Sequence, residues 1–366
     1  MNATEACIAL NMLPTMGPVR LRKLLEVFRE PQQILAAKRS DLQRVDGVGR
    51  EVADQISNWE STIDLAAELK RIREFGAAVL TQESPLYPRP LRQIHAPPIV
   101  LYVWGELLER DHHAVGVIGA RRTTHYGMES AKKLSYQLAY AGLTVISGLA
   151  RGIDTAAHQG ALAAKGRTVA VLGSGLARLY PPENAALAEK IRSGNGAIVS
   201  EFPMEVEPDR QTFPMRNRII SGWSQGILVV EAGLNSGALI TAAQALDQGR
   251  LVYAVPGHIN APSAMGSNRL IQQGAKLVMD AGDILEDLQV LLPEMKTPPA
   301  AAARPLPPLS DEEQRIYEAI GANETSIDHI AERTKLPSAI VSAVLLQLEL
   351  KRLVKQLPGK YFVKLG

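Results

Sequence analysis

The chain has 366 residues, 46% apolar and 21% charged, which excludes a disorder-dominated polymer and gives room for two or three domains with sizeable cores. A formal net charge of +2 makes no prediction of nucleic-acid binding by itself, and a polyanionic partner would need basic residues focused on one surface. The single cysteine, Cys7, rules out an internal disulfide framework and a cysteine-based zinc site, and a packing role is expected of it. A basic leader is missing and no run of about 18 apolar residues occurs, so a cytoplasmic protein without membrane contact is expected.

Residues 1–65 show helical periodicity without strand runs. Within them Leu42-x-x-Val45-x-Gly47-Val48-Gly49-x-x-x-Ala53-x-x-Ile56 has the spacing of a helix-hairpin-helix, whose Gly-apolar-Gly turn turns backbone N–H groups toward a phosphate. A degenerate copy, Leu13-x-x-Met16-Gly17-Pro18-Val19, makes a tandem pair. Such hairpins either grip DNA or only stabilise a helical domain and contact protein, and the sequence leaves both open.

Residues 66–292 read as the next domain, and from about residue 77 the period changes. Short β-rich runs at 77–80, 99–103, 115–118, 144–146, 168–172, 197–199, 227–230, 251–255 and 276–279 mostly alternate with helical segments. Apolar runs without alternating polarity belong to strands buried on both faces, which predicts a Rossmann-like, doubly wound α/β domain with a mostly parallel sheet. Five Gly- and Arg-rich stretches are placed at strand ends: Gly119-Ala120-Arg121-Arg122, Ser147-Gly148-Leu-Ala-Arg151, Gly173-Ser-Gly175, Phe213-Pro-Met-Arg216-Asn217-Arg218 and Ser236-Gly237. Glycine lets backbone N–H groups approach an anion, a following helix N-terminus adds partial positive charge, and arginine supplies a planar donor fork. Ligands of such sheets sit outside the carboxyl ends of the strands, so these stretches are expected to hold phosphates, with Phe213 the best stacking candidate. Binding of this kind is sequence-tolerant and salt-sensitive.

Residues 293–309 read as a proline-rich linker. Residues 310–366 then give a helix capped by Ser310, a helix capped by Ser326, a longer helix opened by Pro337, and two β runs around Pro358-Gly359, the order of a winged helix. Its third helix has no lysine or arginine before Lys351. That favours protein contact or packing over the reading of duplex DNA, although both partners stay candidates.

Three motifs mislead. Gly222-Trp-Ser224-Gln-Gly226 matches a nucleophile elbow, but a helix precedes it and a strand follows, the reverse of the required order. Gly173-Ser-Gly175-Leu-Ala-Arg178 has two glycines of a dinucleotide fingerprint and an arginine in place of the third. Asp154 and His158 lie four apart with no further ligand pair, which suits a structural contact better than a metal. No catalytic group, cofactor or metal is assigned.

Ordered blocks carry a more specific signal: Gly119-Ala-Arg-Arg-Thr-Thr-His-Tyr-Gly127, Ser147-Gly-Leu-Ala-Arg-Gly-Ile-Asp154 with His158, Ala170-Val-Leu-Gly-Ser-Gly-Leu176 leading to Tyr180-Pro181, Ser200-Glu-Phe-Pro203, Phe213 to Gly222, Val229-Val-Glu-Ala232, Ser236 to Thr241, and Ala254-Val-Pro-Gly257. Through them the chain resembles the DNA-processing protein A (DprA/Smf) family. The resemblance implies a non-enzymatic protein that binds single-stranded DNA through its Rossmann-like domain, forms a homodimer and loads RecA during natural transformation. It also implies a dimer contact within 268–277, on Asn268, Ile271 and Leu277, with core packing as the rival reading of the two apolar residues. One departure stands out: many family members carry a basic residue after the Tyr-Pro pair, where this chain has Pro182 and Glu183, leaving Arg178 or Lys190 as substitutes. A nucleotide-processing or nucleotide-sensing protein on the same scaffold is the alternative. The glutamate of the related hydrolases falls on Gln244, whose amide cannot act as general acid or base.

Overall fold

Local signals set the first helices. Asn2 accepts the N–H of Glu5 at 2.9 Å while Glu5 accepts that of Asn2 at 2.9 Å, a capping box that starts α1 (Ala3–Met12). Pro18 and Pro31 open α2 (Pro18–Phe28) and α3 (Pro31–Ala36) at a position where the missing N–H has no helical partner to lose. Helices α4 (Arg39–Leu42) and α5 (Arg50–Ser57) flank the expected hairpin turn, in which Gly47 takes φ +82°, and α6 (Trp59–Thr62) and α7 (Leu65–Phe75) complete the module. A computed structural model describes residues 1–289, 309–321, 324–351, 353–357 and 359–364. The chain divides into two compact units, Met1–Pro298 and Pro299–Gly366. The linker expected at 293–309, apart from Leu309, and Pro358 of the expected turn lie outside the described residues.

Every one of the nine expected β runs forms a strand: β1 (Ala78–Thr81), β2 (Val100–Gly105), β3 (Ala114–Ile118), β4 (Thr144–Ser147), β5 (Thr168–Val171), β6 (Gly196–Ser200), β7 (Gly226–Val229), β8 (Leu251–Ala254) and β9 (Lys276–Leu277). They make one sheet in the order β1-β2-β6-β5-β4-β3-β7-β8-β9. The strands from β6 to β9 across this order pair in parallel, whereas β1 on β2 and β2 on β6 are antiparallel. Complete burial of β3 to β7 accounts for their unbroken apolar runs. Around the sheet run α8 (Arg89–Arg92), α9 (His125–Tyr140), α10 (Ile153–Ala163), α11 (Ala185–Arg192), α12 (Thr212–Trp223), α13 (Gly237–Asp247), α14 (Met265–Gln272) and α15 (Gly282–Gln289). From β3 the chain steps outward through β4 and β5 to β6, then returns to lay β7 on the other side of β3. That reversal opens a crevice at the carboxyl ends of the central strands, the usual ligand position in doubly wound sheets.

The helical module shares its core with the sheet. Ala6, Ile8, Leu13, Leu42 and Ile56 belong to one buried cluster with Val100, Tyr102, Leu172 and Ile198. Asn11 Nδ2 donates to the Glu201 carbonyl at 2.9 Å, and the buried Glu68 carboxylate accepts the Met204 N–H at 2.8 Å.

One placement is corrected. Phe213 to Arg218 do not form a strand-end loop; they occupy the first turns of α12, and the connection from β6 runs through residues 201–211. Pro214 sits in the first helical turn, where its ring meets no preceding helical carbonyl, so it starts the helix rather than marking a loop.

In the second unit Ser310 and Glu313 form a capping box on α16 (Asp311–Ala319), Ser326 caps α17 (Ile327–Thr334), and α18 (Ser338–Leu350) follows Pro337. Strands β10 (Thr325–Ser326), β11 (Val354–Leu357) and β12 (Tyr361–Lys364) pair antiparallel in the order β10-β12-β11. Ile316, Ile330, Val341, Leu345, Leu348 and Phe362 fill its core. This is the expected winged helix, with β10 as an added strand.

Candidate nucleic-acid interface

Three adjacent strands, β3, β4 and β5, end side by side, and the residues after each build one cleft. After β3 the chain turns through Gly119 and Ala120, whose N–H donates to the Glu231 carbonyl at 2.7 Å, and leaves Arg121 and Arg122 exposed before Thr124 caps α9. The Glu231 carboxylate receives the Thr124 N–H at 2.9 Å and the Thr123 hydroxyl, fixing this loop against β7. At the end of β4, Ser147 Oγ donates to the Val117 carbonyl at 2.6 Å, and beyond it the N–H groups of Gly148 and Ala150 point at Asp154 Oδ2, at 3.1 and 3.4 Å. After β5, the Gly175 N–H donates to the Val206 carbonyl at 2.8 Å.

The backbone therefore offers fewer free amides than the glycine pattern suggests. Buried N–H groups need partners, and Asp154, Glu231 and Val206 take those of Gly148, Ala150, Ala120, Thr124 and Gly175. Among the described residues, the N–H groups of Gly173 and Ser174 have no protein acceptor. The cleft is built mainly from side chains: Arg121, Arg151 and Arg216 meet Tyr180 and Phe213 there, with Gly148, Ala150, Gly173, Ser174 and Pro181 completing the lining. The Arg121 guanidinium lies 4.6 Å from the centroid of the Phe213 ring and that of Arg216 6.0 Å from the same ring, while Arg151 stands 5.9 Å from Tyr180. The two rings are 6.3 Å apart and tilted by 51°.

Arg216 forms the floor. The residue is only 4% exposed, and its guanidinium donates through Nη1 to the carbonyls of Gly148, at 2.7 Å, and Val171, and through Nε to Asn217 Oδ1 at 3.2 Å. Burial pushes its pKa down to about 10, partly offset by Asp154, so it stays cationic at neutral pH. Burial raises the carboxyl of Asp154, against the opposing pull of Arg216 and of the amides of Ala150 and Gly148. His158 is pushed down to about 3 by burial and then by Arg216, so it is neutral. It hydrogen-bonds Thr168 Oγ1 at 2.7 Å, while Thr168 donates to the Val145 carbonyl at 2.7 Å. Asp154 and His158 thus brace the loop and the helix behind it. A Cβ on Gly148 would lie 2.2 Å from Arg216 Nη1, so glycine is required there by the guanidinium rather than by a phosphate.

Of the residues singled out in the sequence, Arg121, Gly148, Arg151, Gly173, Phe213 and Arg216 line the cleft. Gly119, Ala120 and Gly175 lie in the loops behind it, Ser147 ends β4, and Arg122 is exposed outside the lining. Asn217 braces Arg216, and Arg218 turns to the buried Glu201, with Nη2 at 2.5 Å from the carboxylate. Ser236 caps α13, accepting the Ala238 N–H at 3.3 Å, and with Gly237 follows β7 rather than the strands that form the cleft. The sequence does not single out Tyr180, Pro181, Ala150 and Ser174 as site residues, although the Tyr180-Pro181 pair is visible in it as a motif. Glu183, where the family departure falls, accepts from Arg151 Nε. Arg178, one of the two substitutes, pairs with Glu205 at 2.6 Å and Glu207 at 3.2 Å; the other, Lys190, is exposed on α11.

Along the opposite sheet edge, Asn268 holds Gly257 through both amide atoms at 3.0 Å, Ile271 is partly buried, and Leu277 is 41% exposed beside Met279 at 75%.

Residues 78–289, which contain every strand of the large sheet and the whole cleft, match the family described as DNA recombination-mediator protein A. The chain belongs to this family. Residues 300–360 match the DprA winged helix domain, and residues 8–58 match a SAM-like helix-hairpin-helix tandem. Protein Smf of Synechocystis sp. is 35% identical over 96% of this chain and 96% of its own, and Protein Smf of Escherichia coli is 41% identical over 77% and 76%. The X-ray structure of DNA processing protein A from Streptococcus pneumoniae superposes with a TM-score of 0.70 at 33% identity, covering 78% of this chain and 99% of that one. A structure of the family member from Helicobacter pylori, described for its single-stranded DNA binding mode, covers 58% of this chain and 96% of its own at 27% identity and a TM-score of 0.53.

Proposed function

We propose that this chain binds single-stranded DNA at the carboxyl ends of β3, β4 and β5, as a non-enzymatic recombination mediator that passes the strand to RecA. The observation that carries the reading is the convergence of three guanidinium groups, Arg121, Arg151 and Arg216, with two aromatic rings, Tyr180 and Phe213, in one cleft. Phosphates meet the guanidinium groups and bases meet the rings, a combination that accepts any sequence because every base has a π face. The free amides of Gly173 and Ser174 add neutral donors. Gly119, Ala120, Ser147, Gly175, Asn217 and Arg218 hold this frame, while Arg122, Ser236 and Gly237 lie along the continuing strand path. The structural relative described with single-stranded DNA supports the same ligand. Against the alternative of nucleotide processing, Ser224 Oγ is buried and donates to the Ile220 carbonyl at 2.8 Å, and Gln244 is an amide.

Arg121→Ala tests the reading. Arg121 is exposed at the cleft and makes no ion pair among the described residues, so its removal spares the fold. Fluorescence anisotropy with a labelled single strand is expected to show a loss of about 1–3 kcal/mol, the range for a charge-assisted contact. Unchanged affinity in the folded variant would remove the cleft from the binding site.

The same proposal divides the chain into a helix-hairpin-helix module at 1–65, a strand-binding domain at 66–292, a linker at 293–309 and a winged helix at 310–366, in a cytoplasmic homodimer. Its dimer contact lies within 268–277, where exposed Leu277 and partly buried Ile271 supply apolar surface next to Asn268. A two-fold contact meets its own copy, so a charge placed there enters the interface twice. Leu277→Arg is expected to sediment as a folded monomer at micromolar concentration; a wild-type protein already monomeric under those conditions refutes the contact.

A further inference from the structure

Helix α18 is apolar on both sides. Val341, Val344, Leu345 and Leu348 are buried in the winged-helix core. On the opposite side Ala339, Ala343, Leu346 and Leu350 are exposed, Leu346 by 58% and Leu350 by 76%. A helix that is hydrophobic all round normally has cover on both sides. The steps between these four residues are four, three and four, the spacing of a knobs-into-holes seam. Neutral Ser342 flanks it on one side, and Gln347 with the exposed Ile340 on the other. Glu349 is the one charged residue of α18, and its carboxylate accepts the Gln356 N–H at 3.0 Å.

We infer that this seam packs against the same seam of a second copy of the chain, antiparallel about a two-fold axis. The order of side-chain sizes selects that occupant. Reversing the helix about the point between Val344 and Leu345 sets Ala339 against Leu350 of the partner subunit and Ala343 against Leu346 of the partner subunit, so each large side chain meets a small one. A parallel pair would instead set leucine on leucine at one end and leave alanine facing alanine at the other, overpacked and hollow in turn. Antiparallel helices also bring opposite dipole ends together. A nucleic-acid groove fits less well, because no residue of α18 is a cation and backbone phosphates demand them.

The seam is about 20 Å long, well short of a standard stable interface of about 1,600 Å². It therefore pairs weakly between free copies and strongly between copies already held close, such as neighbours on one strand or members of one dimer.

Disulfide trapping in the full-length protein tests the pairing and its direction together. Ala343→Cys and Leu346→Cys proteins are mixed under mild oxidation, beside each variant alone and beside Lys355→Cys, an exposed position on β11 away from the seam. The native thiol does not compete: Cys7 is buried and its pKa is pushed up to about 11, chiefly by that burial. The mixture is expected to give cross-linked dimer on the order of tenfold above the Lys355→Cys control, as a preformed contact gives over random collision. Adding Leu350→Arg to both partners is expected to abolish that excess without shifting thermal unfolding, since Leu350 lies outside the core. The inference is overturned by equal yields in mixture and control, by single variants that cross-link better than the mixture, or by an excess that survives Leu350→Arg.

Discussion

Arg216→Ala is expected to lose stability and strand binding together. The guanidinium ties the β4 loop to the end of β5 through the carbonyls of Gly148 and Val171 and stands as the positive charge facing the buried Asp154. Alanine leaves two buried carbonyls without their donor and a carboxylate without its counter-charge, a loss of about 2–4 kcal/mol in urea unfolding once the relief of burying the arginine is counted. Binding should fall further than stability explains, because the loop that carries Arg151 is no longer held. Arg216→Lys keeps the charge but loses the Nε contact to Asn217 and the planar face beside Phe213, so only partial recovery is expected. A variant as stable as the parent would show that Asp154 alone fixes the loop.

Phe213→Ala should weaken single-strand binding about as strongly as loss of Arg121. The ring supplies a stacking face, worth about 1–3 kcal/mol per base, and it is also the surface on which the Arg121 guanidinium rests at 4.6 Å. The two losses should be coupled: in a double-mutant cycle the Arg121→Ala effect is expected to shrink by about 0.5–1 kcal/mol when Phe213 is already absent. Strict additivity would mean that ring and cation act on different parts of the strand. The measurement is titration of one labelled oligonucleotide with the four proteins of the cycle.

Much of this architecture is legible in the residues. The central strands β3 to β7 are visible because they are buried on both faces and so carry unbroken apolar runs. Strand β10 is not, because two residues, Thr325 and Ser326, have no period to read. The site was harder. Arg216 and Arg218 look equivalent in a list of basic residues, yet two steps along a helix turn side chains to roughly opposite sides. One therefore lines the cleft and the other pairs with Glu201. Reading Phe213 to Arg218 as a loop concealed that difference. The glycine loops look like open amide cradles in the sequence because their internal acceptors, Asp154 for Gly148 and Val206 for Gly175, are set by tertiary placement.

The core shared by the amino-terminal helices and the sheet bears on how this protein unfolds. Ile8, Leu13 and Ile56 are packed in the same cluster as Val100, Tyr102 and Leu172, so a break at residue 65 or 66 would lay open a hydrophobic surface on both fragments. Sequence modules and cooperative units need not coincide: two motif-bearing segments that share a core are expected to melt as a single block in calorimetry. Whatever the hairpin turn at Gly47 touches is thereby held at a set distance from the cleft, as a fixed ruler rather than an arm on a tether.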